Sequence, residues 1–216
     1  MITSFLGDAL GELATIRPVF HSEADFQHEL AQVIRSQNPN LDARLEIPLA
    51  GGITLDILLI DAGADERFAL ELKYKTAAWS GEVNGETFTL KNHGADDLGG
   101  YDALKDVQRV ESLIQAGVAT AGATVFLTNE PLYWKPRNPG SRRTNAHMFR
   151  IHEGLELSGV RAWGPNTGGS MRGREQDIVL SGQYATTWQP YSLIGDGRGE
   201  FRSLTLYVQP TPQAGV

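Results

Sequence analysis

The chain has 216 residues, no cysteine, 41% hydrophobic residues and a net charge of −7 from 19 Lys and Arg against 26 Asp and Glu. That composition fits a single domain over 1–216. It excludes disulfides, thiolate catalysis and cysteine-based zinc, leaving carboxylates and histidines as metal ligands.

The acidic balance also argues against indiscriminate coating of nucleic acid. No apolar run approaches the roughly 18–20 residues needed to span a bilayer. The opening MITSFLGDALGELATIRP has no basic n-region and carries acids within its apolar stretch, so it does not read as a secretory signal. The expectation is a cytoplasmic protein without membrane contact.

The first element expected is a helix in HSEADFQHELAQVIRSQNP, with Ser22 as N-cap, Asp25 three residues on and Asn38-Pro39 closing it. Phe26, Leu30, Val33 and Ile34 form its apolar face. On a wheel of 100° per residue Glu23 falls inside that stripe and Glu29 at its edge. Next come ARLEIPL and GGITLDILLID as strands, then the turn DAGADER and the strand FALELKYKT. Asn84-Gly85 predicts a second hairpin between WSGEV and ETFTL. DDLGGYDALKDVQRVESLIQAG has helical spacing and ends at Gly117, and GATVFLTN reads as a buried strand.

Beyond Ala146 the pattern changes to strands and turns: MFRIHEGLEL, VRAW, DIVLSG, TTWQPYSLI and FRSLTLYV. GPNTGGSMRGRE between them reads as a mobile loop and QPTPQAGV as a frayed tail. Neither internal repeats nor low-complexity segments occur. The fold class expected is α/β (α+β), with a core over 19–128 and a β-rich C-terminal extension over 146–208.

Charge is uneven along this order. From Pro131 to His152 there are five basic residues and no acid, leaving 14 Lys and Arg against 26 Asp and Glu elsewhere. Lys135, Arg137, Arg142 and Arg143 in this loop suit an anionic contact, or merely keep an exposed loop soluble.

The chemistry concentrates on two strands. In LDILLID, Asp56 shares a face with Leu58 and Ile60, so this carboxylate is expected on a strand buried on both sides, where it needs a cation or donors. A turn from Asp61 to Glu66 pairs Ile60 with Arg67, which sets Asp56 opposite Glu71, with Lys73 two residues further on the same face. Two carboxylates ~5 Å apart share a proton or hold a cation. A hard ion such as Mg²⁺ suits an all-oxygen site, and a lysine beside it can orient water and offset charge on a phosphoryl group. The competing reading is a structural ion pair of Lys73 with Glu71 or Asp56.

Asp56, fourteen residues, then Glu71-Leu72-Lys73 resembles the D-Xn-(D/E)-X-K signature of the PD-(D/E)XK, or restriction-endonuclease-like, nuclease superfamily. The similarity runs from about Val19 to Thr128, with Leu55 where the motif often has proline. It implies a restriction-endonuclease-like core of order α-β-β-β-α-β on a mixed central sheet; the extra antiparallel strands read in the C-terminal third have no counterpart in it. It also implies hydrolysis of a nucleic acid, most often DNA by an endonuclease leaving a 5′-phosphate, with Mg²⁺ or Mn²⁺ as cofactor. Asp56, Glu71 and the Leu72 carbonyl would be metal ligands, Lys73 the catalytic lysine, and Glu23 the helix acid, with Glu29 as the alternative. The alternative function is a catalytically inactive module that binds nucleic acid or a partner protein through the 135–150 loop, and a homodimer stays open. Gln27 would orient Glu23 or meet a phosphate, Lys75 is solvated or a rim phosphate contact, and Lys105 reaches a phosphate if its helix face borders the site.

His93, Asp96 and Asp97 have ligand-like side chains, but acids at this place are expected as helix caps. Asp102, Lys105, Asp106 and Arg109 are expected as a solvated, salt-bridged helix face. His147 and His152 lack an identifiable acid partner, and Trp79, Trp134, Trp163 and Trp188 are expected in the core or at its rim.

Overall fold

The structure, a computed structural model, describes residues 2–165 and 171–210. It opens on a helix that the sequence reading did not identify, α1 (Ile2–Ile16). Leu6, Ala9, Leu10 and Leu13 recur at helical spacing and are all buried. At about 1.5–3 kcal/mol for each large side chain removed from water, packing rather than propensity holds this helix in place.

The expected helix follows as α2 (Glu23–Gln37), capped by Ser22 Oγ, which accepts from Asp25 N at 3.1 Å. Phe26, Leu30, Val33 and Ile34 are buried, as the wheel requires. Three antiparallel strands come next: β1 (Leu41–Pro48), β2 (Thr54–Asp61) and β3 (Glu66–Lys75). The small hairpin β4 (Trp79–Val83) and β5 (Glu86–Leu90) turns at Asn84 and Gly85, whose φ angles of 54° and 80° are those of a type I′ turn. Helix α3 (Asp96–Gln115) then carries the chain over the sheet to β6 (Ala121–Thr128), which lies parallel to β3.

The C-terminal third divides in two. β7 (Glu156–Arg161) and β8 (Ile178–Ala185) form a separate hairpin against α3, whereas β9 (Trp188–Leu193) and β10 (Glu200–Val208) join the main sheet. The result is a six-stranded mixed sheet of order β1-β2-β3-β6-β10-β9. With three α-helices among the described residues, the protein is α+β.

Each face of the sheet has its own core. On one, Leu6, Leu13, Phe26 and Leu30 of α1 and α2 meet Ile57, Leu59, Leu70, Leu72 and Val125. On the other, Leu104, Val107 and Val110 of α3 meet Ala69, Phe126, Leu204 and Leu206, with Leu180 and Tyr184 of β8 closing the edge. Gly122 permits the close approach of this layer, because a Cβ there would lie 2.4 Å from both Ala69 O and Val110 Cγ1.

Several expectations need correction. MFRIHEGLEL is not a strand: His147–Phe149 is a 3-10 turn, and pairing starts only at Glu156. VRAW leaves its strand at Arg161, and Trp163 instead stacks on Tyr101 with ring centroids 5.9 Å apart. Residues 166–170 of GPNTGGSMRGRE and 211–216 of QPTPQAGV lie outside the described residues. No helix among the described residues is long and apolar enough to cross a membrane.

Candidate functional site

The register of β2 and β3 is the expected one, with Ile60 opposite Arg67, but the ladder ends at Ile57 and Leu70. Past that point β3 stays paired to β6 through Lys75, and its other edge loses its strand partner. Side chains replace it. Leu72 N donates to Asp56 Oδ2 at 2.6 Å, Tyr74 N to Glu23 Oε2 at 2.7 Å and Thr76 N to His93 Nδ1 at 2.9 Å. Buried N–H groups must be satisfied, so splaying the two strands pulls two carboxylates and a histidine onto one edge.

The opposite wall is tied down as well. Gln27 donates through Nε2 to the Asp56 carbonyl at 2.7 Å and to Glu46 Oε1 at 2.8 Å. Glu46 has a φ of 53° and drops out of the β1–β2 ladder between Leu45 and Ile47. Gln27 thus clips α2 to β2; it does not orient Glu23, and at 5% exposure with its amide committed it presents no phosphate contact.

β2 is buried on one side only. Leu55, Ile57 and Leu59 are fully covered, while Asp56, Leu58 and Ile60 are half-buried, because α3 covers β3 and β6 but overhangs β2 only partly. Glu71, one strand further in, is 1% exposed beneath α3.

Two residues read from the sequence as surface charges belong to this cluster. Arg109 Nη1 lies 2.9 Å from Glu71 Oε2 and 3.4 Å from Asp106 Oδ1, and Asp106 Oδ2 lies 3.2 Å from Lys73 Nζ. Asp106 is 4% exposed, so its helix face is buried rather than solvated. The remaining charges of that face go elsewhere: Asp102 holds Arg174 in a bidentate pair at 2.6 and 2.9 Å, and Lys105 donates to Gln108. The wheel signal for Asp106 was present, since Ala103, Val107 and Val110 flank it and are all buried.

Lys73 Nζ also sits 3.8 Å from Glu23 Oε1 and donates to the Leu72 carbonyl at 3.3 Å. Burial opposes the ammonium's charge, but Asp106, Glu23 and Asp56 together hold its pKa above the usual lysine value. The carboxylates pay the opposite way. Burial, reinforced by Asp106 and Asp56, pushes Glu71 up to about 8 despite its arginine. Burial pushes Asp106 up to about 6 against Lys73 and Arg109, and raises Asp56 against the Leu72 N–H and Lys73.

The space that opens beside the cluster is a cleft of about 320 Å³ lined by Glu23, Tyr74, Lys75, Thr76, Lys91 and His93, among others. Lys75 therefore sits at its rim, half-buried. Lys135, Arg137, Arg142 and Arg143 are exposed on the loop after β6 and lie outside the carboxylate cluster. Glu29 is half-buried and makes no contact with Lys73, whereas Glu23 does. Asp96 and Asp97 occupy the first turn of α3 but leave its N-cap, Ala95 at φ 51°, without a side-chain hydrogen bond. The tryptophans serve packing: Trp134 lies against Trp188, whose Nε1 donates to Ile151 O.

No family model, curated protein or solved structure matches this chain.

Two features of the donor set bear on a divalent ion. Glu23, Asp56, Glu71 and Asp106 set four carboxylates against the two cations Lys73 and Arg109, and burial raises the Glu71 pKa despite them. Glu71 Oε1 is, in addition, a buried oxygen without a hydrogen-bond partner. All the donors are oxygen, the preference of Mg²⁺ or Mn²⁺. Among the described residues no three His, Asp or Glu side chains are arrayed to hold a metal.

Proposed function

We propose that this chain is a divalent-metal-dependent phosphodiesterase acting on nucleic acid, as a DNA endonuclease of restriction-endonuclease-like type. The observation that carries the reading is the excess of carboxylate around Glu71 and Asp56, with Lys73 paired among them and Glu23 linking the cluster to a cleft. Asp56, Glu71 and the Leu72 carbonyl are the groups that would hold Mg²⁺ or Mn²⁺. The ion supplies Lewis acidity at a phosphoryl oxygen and a more acidic water.

The chain's own residues do the rest. Lys73 is a compact cation on a flexible stem, so it exchanges Asp106 for a phosphoryl oxygen and offsets the charge growing there. Glu23, within 3.8 Å of Lys73 and more exposed than Glu71 and Asp106, holds the attacking water and accepts its proton. Lys75 at the rim meets the neighbouring phosphate. The test is cleavage of single- and double-stranded DNA and RNA with Mg²⁺ or Mn²⁺, including analysis for 5′-phosphate ends. Equal activity in the wild type and Lys73→Ala removes the proposal.

A second reading, a non-catalytic binding module, is favoured by one feature: Lys73 and Arg109 already pair with the carboxylates. Calorimetric titration with Mn²⁺ separates the two, since the module binds nucleic acid in a salt-sensitive manner but no metal.

A further inference from the structure

The N-terminal end of α3 and the loop that follows β6 enclose a cavity of about 330 Å³, at the small end of the ~300–1,000 Å³ typical of ligand sites. Asp96 and Asp97 line one part of it, Arg137 and Arg150 another, and Tyr133 and Trp163 contribute ring surface.

Its polar groups are under-used. Tyr133 is 5% exposed, its hydroxyl lies against Gly99 in the first turn of α3, and that hydroxyl makes no hydrogen bond among the described residues. Thr144 Oγ1, also on the wall, is buried without a partner. The Arg150 guanidinium has neither an ion pair nor a hydrogen bond among the described residues, and Arg137 donates only to the Arg142 carbonyl. Burial and the nearby Arg137 push the pKa of Arg150 down, so an anion would relieve the pair.

The cavity neighbours the proposed site. It shares Asp96, Leu132 and Tyr133 with a smaller space of about 120 Å³, which in turn shares Lys75, Thr76 and His93 with the cleft at Glu23. A strand crossing Glu23 and Lys75 is led to this cavity.

We infer that the cavity is a subsite for one unpaired nucleotide of the bound strand, its phosphate on Arg137 and Arg150, its base beside Tyr133 and Trp163. The carboxylates of Asp96 and Asp97 accept from an exocyclic amino group on the base, as acids do from cytosine N4. Thymine, lacking that amino group, is disfavoured. This assignment of a strand rests on the nuclease reading above, while binding itself is measured without turnover.

The experiment is fluorescence anisotropy with labelled (dC)12 and (dT)12 in EDTA. The expected result is (dC)12 bound roughly five- to tenfold more tightly than (dT)12. Asp96→Asn with Asp97→Asn removes that preference and leaves (dT)12 affinity no weaker. Arg137→Ala with Arg150→Ala weakens both oligonucleotides and lowers the slope of log affinity against log salt by about 0.7. Equal affinities in the wild type, or an unchanged salt slope in the arginine variant, overturn the subsite whatever the cleavage assay gives. Binding as expected with no cleavage under any metal overturns the nuclease reading alone. Displacement of (dC)12 by dCMP at equal nucleotide concentration assigns the cavity to a free nucleotide and overturns the strand register.

Discussion

Asp106 Oδ2 stands 3.2 Å from Lys73 Nζ, so the lysine of the strand motif is held by a carboxylate delivered from the helix above it. The same helix brings Arg109 to Glu71, one turn further on. Helix α3 therefore sets the charge state of both motif residues on β3.

Asp106→Asn frees the lysine without changing volume. Cleavage is expected to fall ~10–100-fold, the usual effect of losing a group that orients a working residue. Oligonucleotide affinity in EDTA stays at the wild-type value. Parallel rate and anisotropy measurements check the split, and an equal loss in both would assign Asp106 to binding instead.

Arg109→Met leaves Glu71 buried without its cation. Removing one member of a buried pair costs up to about 3–5 kcal/mol, and more of that cost is expected at pH 9, above the Glu71 pKa of about 8, than below it, with the variant holding its proton to higher pH. At pH 5 the carboxyl is neutral and the loss shrinks. Urea unfolding at the two values reads the difference.

Glu71 and Asp106 give the metal-free protein an unusual pH dependence. Their folded pKa values, about 8 and about 6, lie above the ordinary values of 4.5 and 3.8, so the folded chain retains protons that the unfolded chain releases. This contribution is complete below pH ~4 and is lost as pH rises through 6 and 8. Glu71→Gln should flatten most of the fall between pH 5 and 8, measured by urea titration in EDTA. Saturating Mn²⁺ should stabilise the wild type more at pH 8 than at pH 6, because the ion binds the deprotonated carboxylates.

Glu111 is the control for a buried acid outside the site. Its carboxylate accepts from Ser181 N, Gly182 N and the Tyr184 hydroxyl at 2.7–2.9 Å, fastening β8 to α3. Glu111→Ala orphans those donors and is expected to cost roughly 2–4 kcal/mol in thermal or urea unfolding. Cleavage per folded molecule is unchanged.

Local signals carried much of this arrangement. Ser22, Asn84-Gly85 and the turn from Asp61 to Glu66 specified their elements, and the strand register followed from the turn. Asp106 and Arg109 were passed over because mixed charge on a helix is usually wet, and whether a face is wet depends on the sheet beneath it. The splay after Leu70 was equally hidden, since Asp56 meets Leu72 N only when β2 leaves the ladder. Residues 147–155 alternate enough to resemble a strand, yet no partner strand lies beside them; Trp134 O and Thr186 O accept from Glu153 N and Gly154 N.

The position of β10 sets the smallest unit that folds. Every proposed catalytic residue precedes Thr128, but β6 is buried at all eight positions and β10 covers the edge that β3 leaves open. A fragment ending at 128 would carry the whole candidate site and expose a long apolar strand edge, a template for self-association. The candidate site of the first half thus relies on the last strand to cover the free edge of β6.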